Sequence, residues 1–122
     1  LKAAGAQYVH VSSAGVSPQQ KIPVGPEYQV PLAREVRRAC GLTTIAVGLI
    51  TEAQQAEAVL QRGDADLIAI GRQALYDPFW PVHAAQELGC DEKFEMWNPE
   101  YGWWLDKRKN NLTGRLPSGA KA

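Results

Sequence analysis

Apolar positions along the chain fall into short runs that alternate with segments of helical spacing. Gln7-Tyr8-Val9-His10-Val11-Ser12-Ser13, bounded by Gly5 and Gly15, has the β-branched and aromatic content of a buried strand. A loop follows over 14–26, where Pro18, Pro23, Pro26, Gly15 and Gly25 leave no room for a long regular element. Val30, Ala33 and Val36 then recur at helical spacing and predict a helix over 30–40. Arg34, Glu35 and Arg38 face out, Pro31 sits in the first turn, and Gly41 closes the helix. Residues 44–48 read as a second strand. Thr51, with Gln54 three residues later, fits a capping box ahead of a helix over 52–62. Ala53, Ala56, Val59 and Leu60 share one face of that helix, and Gly63 ends it. Residues 66–70 form a third strand, apolar on both faces. Gly71-Arg72 turns into a short helix near 73–76, Asp77-Pro78 breaks it, and a last helix over 80–88 stops at Gly89. The opening 1–5 reads as the final turn of a helix that starts upstream.

Strand followed by helix, three times over, with strands apolar on both faces, indicates an α/β fold with a parallel sheet covered by helices. Three strands fit either part of a (β/α)8 barrel or an open doubly wound sheet. Past Leu88 the rhythm stops. Trp97, Tyr101, Trp103 and Trp104 cluster there and lead into Lys107-Arg108-Lys109.

Charge sharpens this division. Thirteen Lys and Arg balance thirteen Asp and Glu, which gives the whole chain no bias toward nucleic acid or an anionic membrane. Residues 1–100 nevertheless carry 8 basic and 12 acidic side chains, net −4, whereas 101–122 carry 5 and 1, net +4. Three regions are expected: βα units over 1–96, a Trp-rich tail over 97–109, and a disordered end over 110–122. No apolar run approaches the roughly 20 residues of a membrane span. Cys40 and Cys90 lack metal-ligand spacing and read as free thiols in a reducing, cytoplasmic setting; His10 and His83 are isolated, so no metal site is expected.

In parallel α/β folds ligands collect at the C-terminal ends of the strands. Those ends carry Ser12-Ser13-Ala14-Gly15, Val47-Gly48-Leu49 and Gly71-Arg72. Gly48 and Gly71 remove the Cβ that would block close approach. The helix starts after them offer N–H groups suited to a phosphate, and Arg72 adds a cation with a bidentate fork. A tight turn with a surface ion pair accounts for Gly71-Arg72 equally well. Asp64 and Asp66 lie at the opposite end of the third strand and read as solvated turn residues. The aromatic cluster reads as core packing or as an interface patch.

Several stretches together resemble the C-terminal portion of the Old Yellow Enzyme family of FMN-dependent ene-reductases, nearest its thermophilic-like branch, which includes the xenobiotic reductases. They are Val9-His10-Val11-Ser12-Ser13-Ala14-Gly15, Tyr28-Gln29-Val30-Pro31, Ala46-Val47-Gly48-Leu49-Ile50-Thr51, Ala65-Asp66-Leu67-Ile68-Ala69-Ile70-Gly71-Arg72-Gln73-Ala74-Leu75, Asp77-Pro78-Phe79-Trp80-Pro81 and Ala84-Ala85-Gln86-Glu87-Leu88-Gly89. The likeness covers roughly residues 1–108. It implies that the three βα units are the sixth to eighth of a (β/α)8 TIM barrel, followed by a C-terminal tail. It implies an FMN phosphate on Gly48, Gly71 and Arg72, with Ala46 and Val47 bordering the flavin. It implies hydride transfer from NADPH or NADH, through FMN, to an activated alkene, with nitro compounds as further substrates. The tail would reach a neighbouring subunit of a homo-oligomer, with Trp104 entering that subunit's substrate pocket.

The family's substrate-binding histidine pair, its proton-donor tyrosine and a second flavin-contacting arginine come from earlier strands, so the resemblance places no catalytic residue in this segment. Residues 110–122 have no family counterpart. The remainder of the barrel is the implied partner. Two other readings stay open on the residues alone: a non-catalytic α/β module acting through its Trp-rich tail, and a segment of a sugar-phosphate barrel.

Overall fold

The computed structural model describes residues 1–13 and 15–113. A single 3-10 turn, Lys2–Ala4, precedes β1 (Tyr8–Val11), α1 (Val30–Cys40), β2 (Thr43–Ala46), α2 (Ala53–Gln61), β3 (Leu67–Ile68), α3 (Arg72–Tyr76), α4 (Trp80–Glu87) and α5 (Pro99–Thr113). The strands form one parallel sheet in the order β1-β2-β3, with Val11 opposite Ala46 and Ala46 opposite Ile68. The expected alternation of strand and helix is therefore present, as three βα steps consistent with part of a (β/α)8 barrel. The strands are shorter than their apolar runs, because the last residues of each run leave the ladder to form the loops at the C-terminal edge.

The chain divides into two units, one over Leu1–Trp80 and one from Pro81 onward.

In the first unit, helical spacing does the work assigned to it. Val30 and Ala33 of α1 and Ala56 and Val59 of α2 are buried with Ala46, Ile50 and Ala65, and Val11, Ile68 and Trp80 pack against them. Gly41 closes α1 in a left-handed conformation, its N–H bonding the Arg37 carbonyl at 2.9 Å.

Asp64 is not a solvated turn residue, and charge pairing is the reason; Asp66 stays exposed but is also held by an ion pair. Asp64 is only 4% exposed. Its carboxylate meets Arg62 at 2.9 Å and Arg34 at 3.7 Å, and Arg62 also reaches Glu27 at 2.7 Å. A carboxylate taken from water needs such partners. Asp66 accepts from the Arg37 guanidinium at 2.8 Å and from the Thr44 amide at 2.9 Å, while Arg37 also donates to the Gly63 carbonyl at 3.0 Å. The guanidinium and then the amide hold the Asp66 carboxyl below the usual aspartate range. Both pairs stitch α1 and α2 to the N-terminal edge of the sheet and leave the C-terminal edge free for other use.

In the second unit, the Trp-rich segment enters a helix, α5. Asn98 caps it, accepting from the Glu100 amide at 3.1 Å, and Pro99 occupies the first helical position. The helix runs to Thr113, so 110–113 are helical rather than disordered; the rest of that expected disorder, over 114–122, lies outside the described residues. Asp91, 4% exposed, accepts from the Glu95 amide at 2.6 Å and the Met96 amide at 3.3 Å and so fixes the turn ahead of α5. Both cysteines are free thiols. No helix among the described residues is long and apolar enough to cross a membrane.

Candidate functional site

The loops after β2 and β3 wall a cleft of about 320 Å³. Val47, Gly48, Gly71 and Arg72 line it, as do Tyr28, Leu49, Ile70 and Tyr76. Four of the five residues expected to hold a cofactor are thus brought together. The fifth, Ala46, is fully buried in the core and lines no part of the cleft; its carbonyl accepts from the Ala69 amide at 2.8 Å. It acts on the cleft only by fixing where β2 and β3 end.

Polar groups at the cleft are supplied without partners of their own. The amides of Gly48, Leu49 and Gly71 donate to no protein acceptor among the described residues. Arg72 is exposed and makes no ion pair or hydrogen bond among those residues. The surface ion pair that would explain Gly71-Arg72 as a simple turn is therefore not formed. Several N–H donors and one guanidinium at one mouth suit a group with negative charge spread over several oxygens. The FMN phosphate meets that description, so the residues present fit it.

The two glycines differ in what they allow. A Cβ on Gly71 would meet nothing within 4 Å, so the backbone there is open to a ligand. A Cβ on Gly48 would lie 3.1 Å from the Tyr28 ring and 3.2 Å from the Gln29 amide nitrogen, and Gly48 has φ 130. The space freed at Gly48 is taken by the protein's own loop. Gln29 in turn accepts from the amide and, at 3.0 Å, the hydroxyl of Ser13, which joins the end of β1 to the start of α1.

The loop between β2 and α2 has a second special residue. Leu49 has φ 49, a left-handed conformation that costs an L residue with a side chain about 1–2 kcal/mol. The expected capping box is absent: the N-cap position of α2 is Glu52, with no side-chain capping bond. Gln55, one residue beyond Gln54, makes the reciprocal contacts. Its Oε1 accepts from the Thr51 amide at 3.0 Å, and its Nε2 donates to the Leu49 carbonyl at 3.3 Å. The Trp80 indole N–H donates to the Thr51 carbonyl at 2.8 Å. The Thr51 amide is thereby consumed, and the donors left for a ligand come from the turn after β2 rather than from the first turn of α2. Sequence reasoning missed Gln55 and Trp80. A glutamine four residues after a threonine was the available signal for the first, and the second had none beyond a Trp closing a Pro-containing turn.

Trp104 lies in the second unit, on α5. It is 68% exposed and packs edge-on against Trp103, with ring centroids 4.5 Å apart. Lys107 sits 5.6 Å from the Trp103 ring centre, a cation–π contact.

A three-stranded parallel sheet whose C-terminal edge gathers unpartnered amides and one arginine defines an α/β segment suited to an anionic group. Comparison with known proteins adds the family. Residues 3–91 match the NADH:flavin oxidoreductase / NADH oxidase family, and the chain belongs to it. This is the Old Yellow Enzyme type of flavin oxidoreductase, a family that uses FMN and NAD(P)H. The NADPH dehydrogenase of Geobacillus thermodenitrificans (strain NG80-2) is 52% identical over 103 residues, which is 84% of this chain and 30% of that protein. The NADPH dehydrogenase of Halalkalibacterium halodurans is 48% identical over 89 residues, 73% of this chain and 26% of that protein. That of Listeria monocytogenes serotype 4a is 46% identical over 92 residues, with the same two shares. The chain therefore spans less than a third of the length of these relatives.

Proposed function

We propose that this segment supplies the phosphate end of the FMN site in an NAD(P)H-dependent flavoenzyme that reduces activated C=C bonds, with nitro compounds as a further substrate class. The observation that carries this reading is the convergence of unpartnered Arg72 with the free amides of Gly48, Leu49 and Gly71 on one cleft at the ends of β2 and β3. In it, β1, β2 and β3 are the sixth, seventh and eighth strands of a (β/α)8 barrel. Bound FMN supplies the two-electron chemistry between the nicotinamide and the alkene. The residues of this chain bind and orient it: Arg72 neutralises phosphate charge, the amides fix the phosphate oxygens, and Val47 forms apolar wall beside them. The groups that touch the alkene belong to the remainder of the barrel. The setting is the reducing cytoplasm, where Cys40 and Cys90 stay free.

Arg72→Ala in the complete protein tests this directly. It removes charge-assisted bonds of about 1.5–3 kcal/mol, so FMN affinity falls about tenfold or more. FMN content measured after exhaustive dialysis reads the loss. Retention equal to that of the parent protein would rule out the assignment.

The exposure of Tyr101 (60%), Trp103 (56%) and Trp104 (68%) on one helix favours a second use of this chain. Rings of this size are enriched where proteins meet. In our reading α5 joins a homo-oligomer, with Trp104 entering a neighbouring subunit's substrate pocket. Trp104→Ala then changes the ratio of kcat/KM for a bulky and a small alkene several-fold, about 1 kcal/mol, while FMN content stays constant. An unchanged ratio together with loss of a protein partner would support the non-catalytic interaction module instead.

A further inference from the structure

We infer that Gln55 and Trp80 are positioning residues for the anion-binding turn after β2: together they hold the Gly48–Thr51 backbone in the conformation that keeps the Gly48 and Leu49 amides available at the cleft. The inference rests on the phosphate-site reading given above and adds to it what sets the geometry of the site.

Two observations on this turn belong together. Gly48 and Leu49 are consecutive residues with positive φ, at 130 and 49. Leucine does not settle in that region unaided, so something else must hold the turn. The turn also exposes N–H groups with no protein acceptor among the described residues. A relaxed loop would rotate these peptides to satisfy them.

Three hydrogen bonds oppose that rotation, and all come from two side chains. Gln55 closes a ring on the turn by accepting from the Thr51 amide at 3.0 Å and donating to the Leu49 carbonyl at 3.3 Å. Its carboxamide occupies two backbone groups of the turn. Trp80 fixes a third, the Thr51 carbonyl, at 2.8 Å. Trp80 is anchored because its ring packs on the buried cluster that includes Ile50 and Val59. A peptide whose carbonyl is fixed on one side has its neighbouring N–H fixed on the other, because the peptide group is planar. These three bonds thus fix the peptides from Leu49 to Glu52, and the Gly48 and Leu49 amides lie in the short span between that anchor and Ala46, whose carbonyl is bonded to the Ala69 amide. Neither side chain need touch the ligand.

The distinguishing experiment compares FMN with riboflavin, which carries the same ring and ribityl chain without the phosphate. Trp80→Phe keeps an aromatic ring and removes the indole N–H. Gln55→Leu, one bond shorter, removes both amide hydrogen bonds. Each variant of the complete apoprotein is titrated with both flavins by fluorescence quenching, beside Arg72→Ala. FMN Kd is expected to rise about five- to twentyfold in each positioning variant, with riboflavin Kd unchanged. Equal weakening of both flavins would mean a merely structural role and overturn the inference. So would unchanged FMN binding in the positioning variants when Arg72→Ala weakens it, and in that case the phosphate-site reading stands. Unchanged FMN binding in Arg72→Ala, with FMN no tighter than riboflavin in the parent, would remove the reading itself. Trp80→Phe keeps a smaller aromatic ring on the cluster and carries the test if Gln55→Leu does not fold.

Discussion

Gly48→Val is expected to destabilise the complete protein by about 3–5 kcal/mol and to close the cleft. Two costs combine at this position. Its φ of 130 lies where essentially only glycine is at ease, and a side chain there costs about 1–3 kcal/mol. A Cβ would also press on the Tyr28 ring at 3.1 Å and the Gln29 amide at 3.2 Å. The Tyr28-Gln29 segment has little freedom to retreat, since Gln29 is 3% exposed and its side chain is bonded to Ser13. Forcing carbon into such packing costs a further amount of about 1–3 kcal/mol. Gly71→Val is the informative comparison. Gly71 has φ −111, and a Cβ there meets nothing within 4 Å. It should cost less stability than Gly48→Val while weakening FMN, because the open space at Gly71 is the space a phosphate would enter. Urea unfolding and FMN titration of both variants separate the two roles. Equal stability of Gly48→Val and the parent would refute the packing argument.

The contrast between these glycines also shows what the sequence could and could not reveal. Both stand at the end of an apolar run ahead of a helix, and that local pattern suggests one role for both. The difference lies with Tyr28 and Gln29, twenty residues upstream, and nothing local to Gly48 points there. Where a signal was local, the sequence was sufficient. The spacing of Val30, Ala33, Ala56 and Val59 placed both covering helices and their buried faces, and Gly41 marked the end of α1. Where two elements had to meet, it was not. Asp64 looked solvated because one of the arginines that engage it, Arg34, comes from α1, a whole βα unit earlier. The Gln54 capping box failed by one residue because α2 starts at Ala53, which moves the reciprocal glutamine to Gln55. For α5 the local signal existed: Asn98-Pro99-Glu100 is a cap followed by a first-turn proline and an acid. The density of aromatic residues drew attention away from it. The cleft was legible as a set of strand ends, and its mouth was not, since the unpaired amides depend on a turn conformation that Leu49 does not advertise.

Residues 1–122 on their own are expected to hold no FMN after desalting, to oxidise no NADPH, and to self-associate. The sheet is the reason. Among the described residues β1 and β3 each pair on one side only, so both edges offer unsatisfied backbone to another strand. Side chains that a closed barrel would cover are uncovered: Tyr8 on β1 is 63% exposed and Leu67 on β3 is 52% exposed. The core beneath them is built of small residues, with Val59 and Thr44 its largest fully buried side chains. Such a core gives each strand little to resist edge pairing with another copy. The cleft itself, at about 320 Å³, is at the small end of ligand sites, with walls from the segments after β2 and β3 and from Tyr28 and Gln29. A phosphate could be held there, but the affinity of a whole flavin needs the ring to be enclosed as well. In our reading the rest of the barrel supplies the strand partners and walls in one step, so flavin retention and a defined oligomer in place of open-ended self-association should return together. Visible absorbance after desalting and size-exclusion chromatography of 1–122 beside the complete protein measure both. A monodisperse 1–122 that keeps stoichiometric flavin and turns over NADPH would show that three βα units are enough.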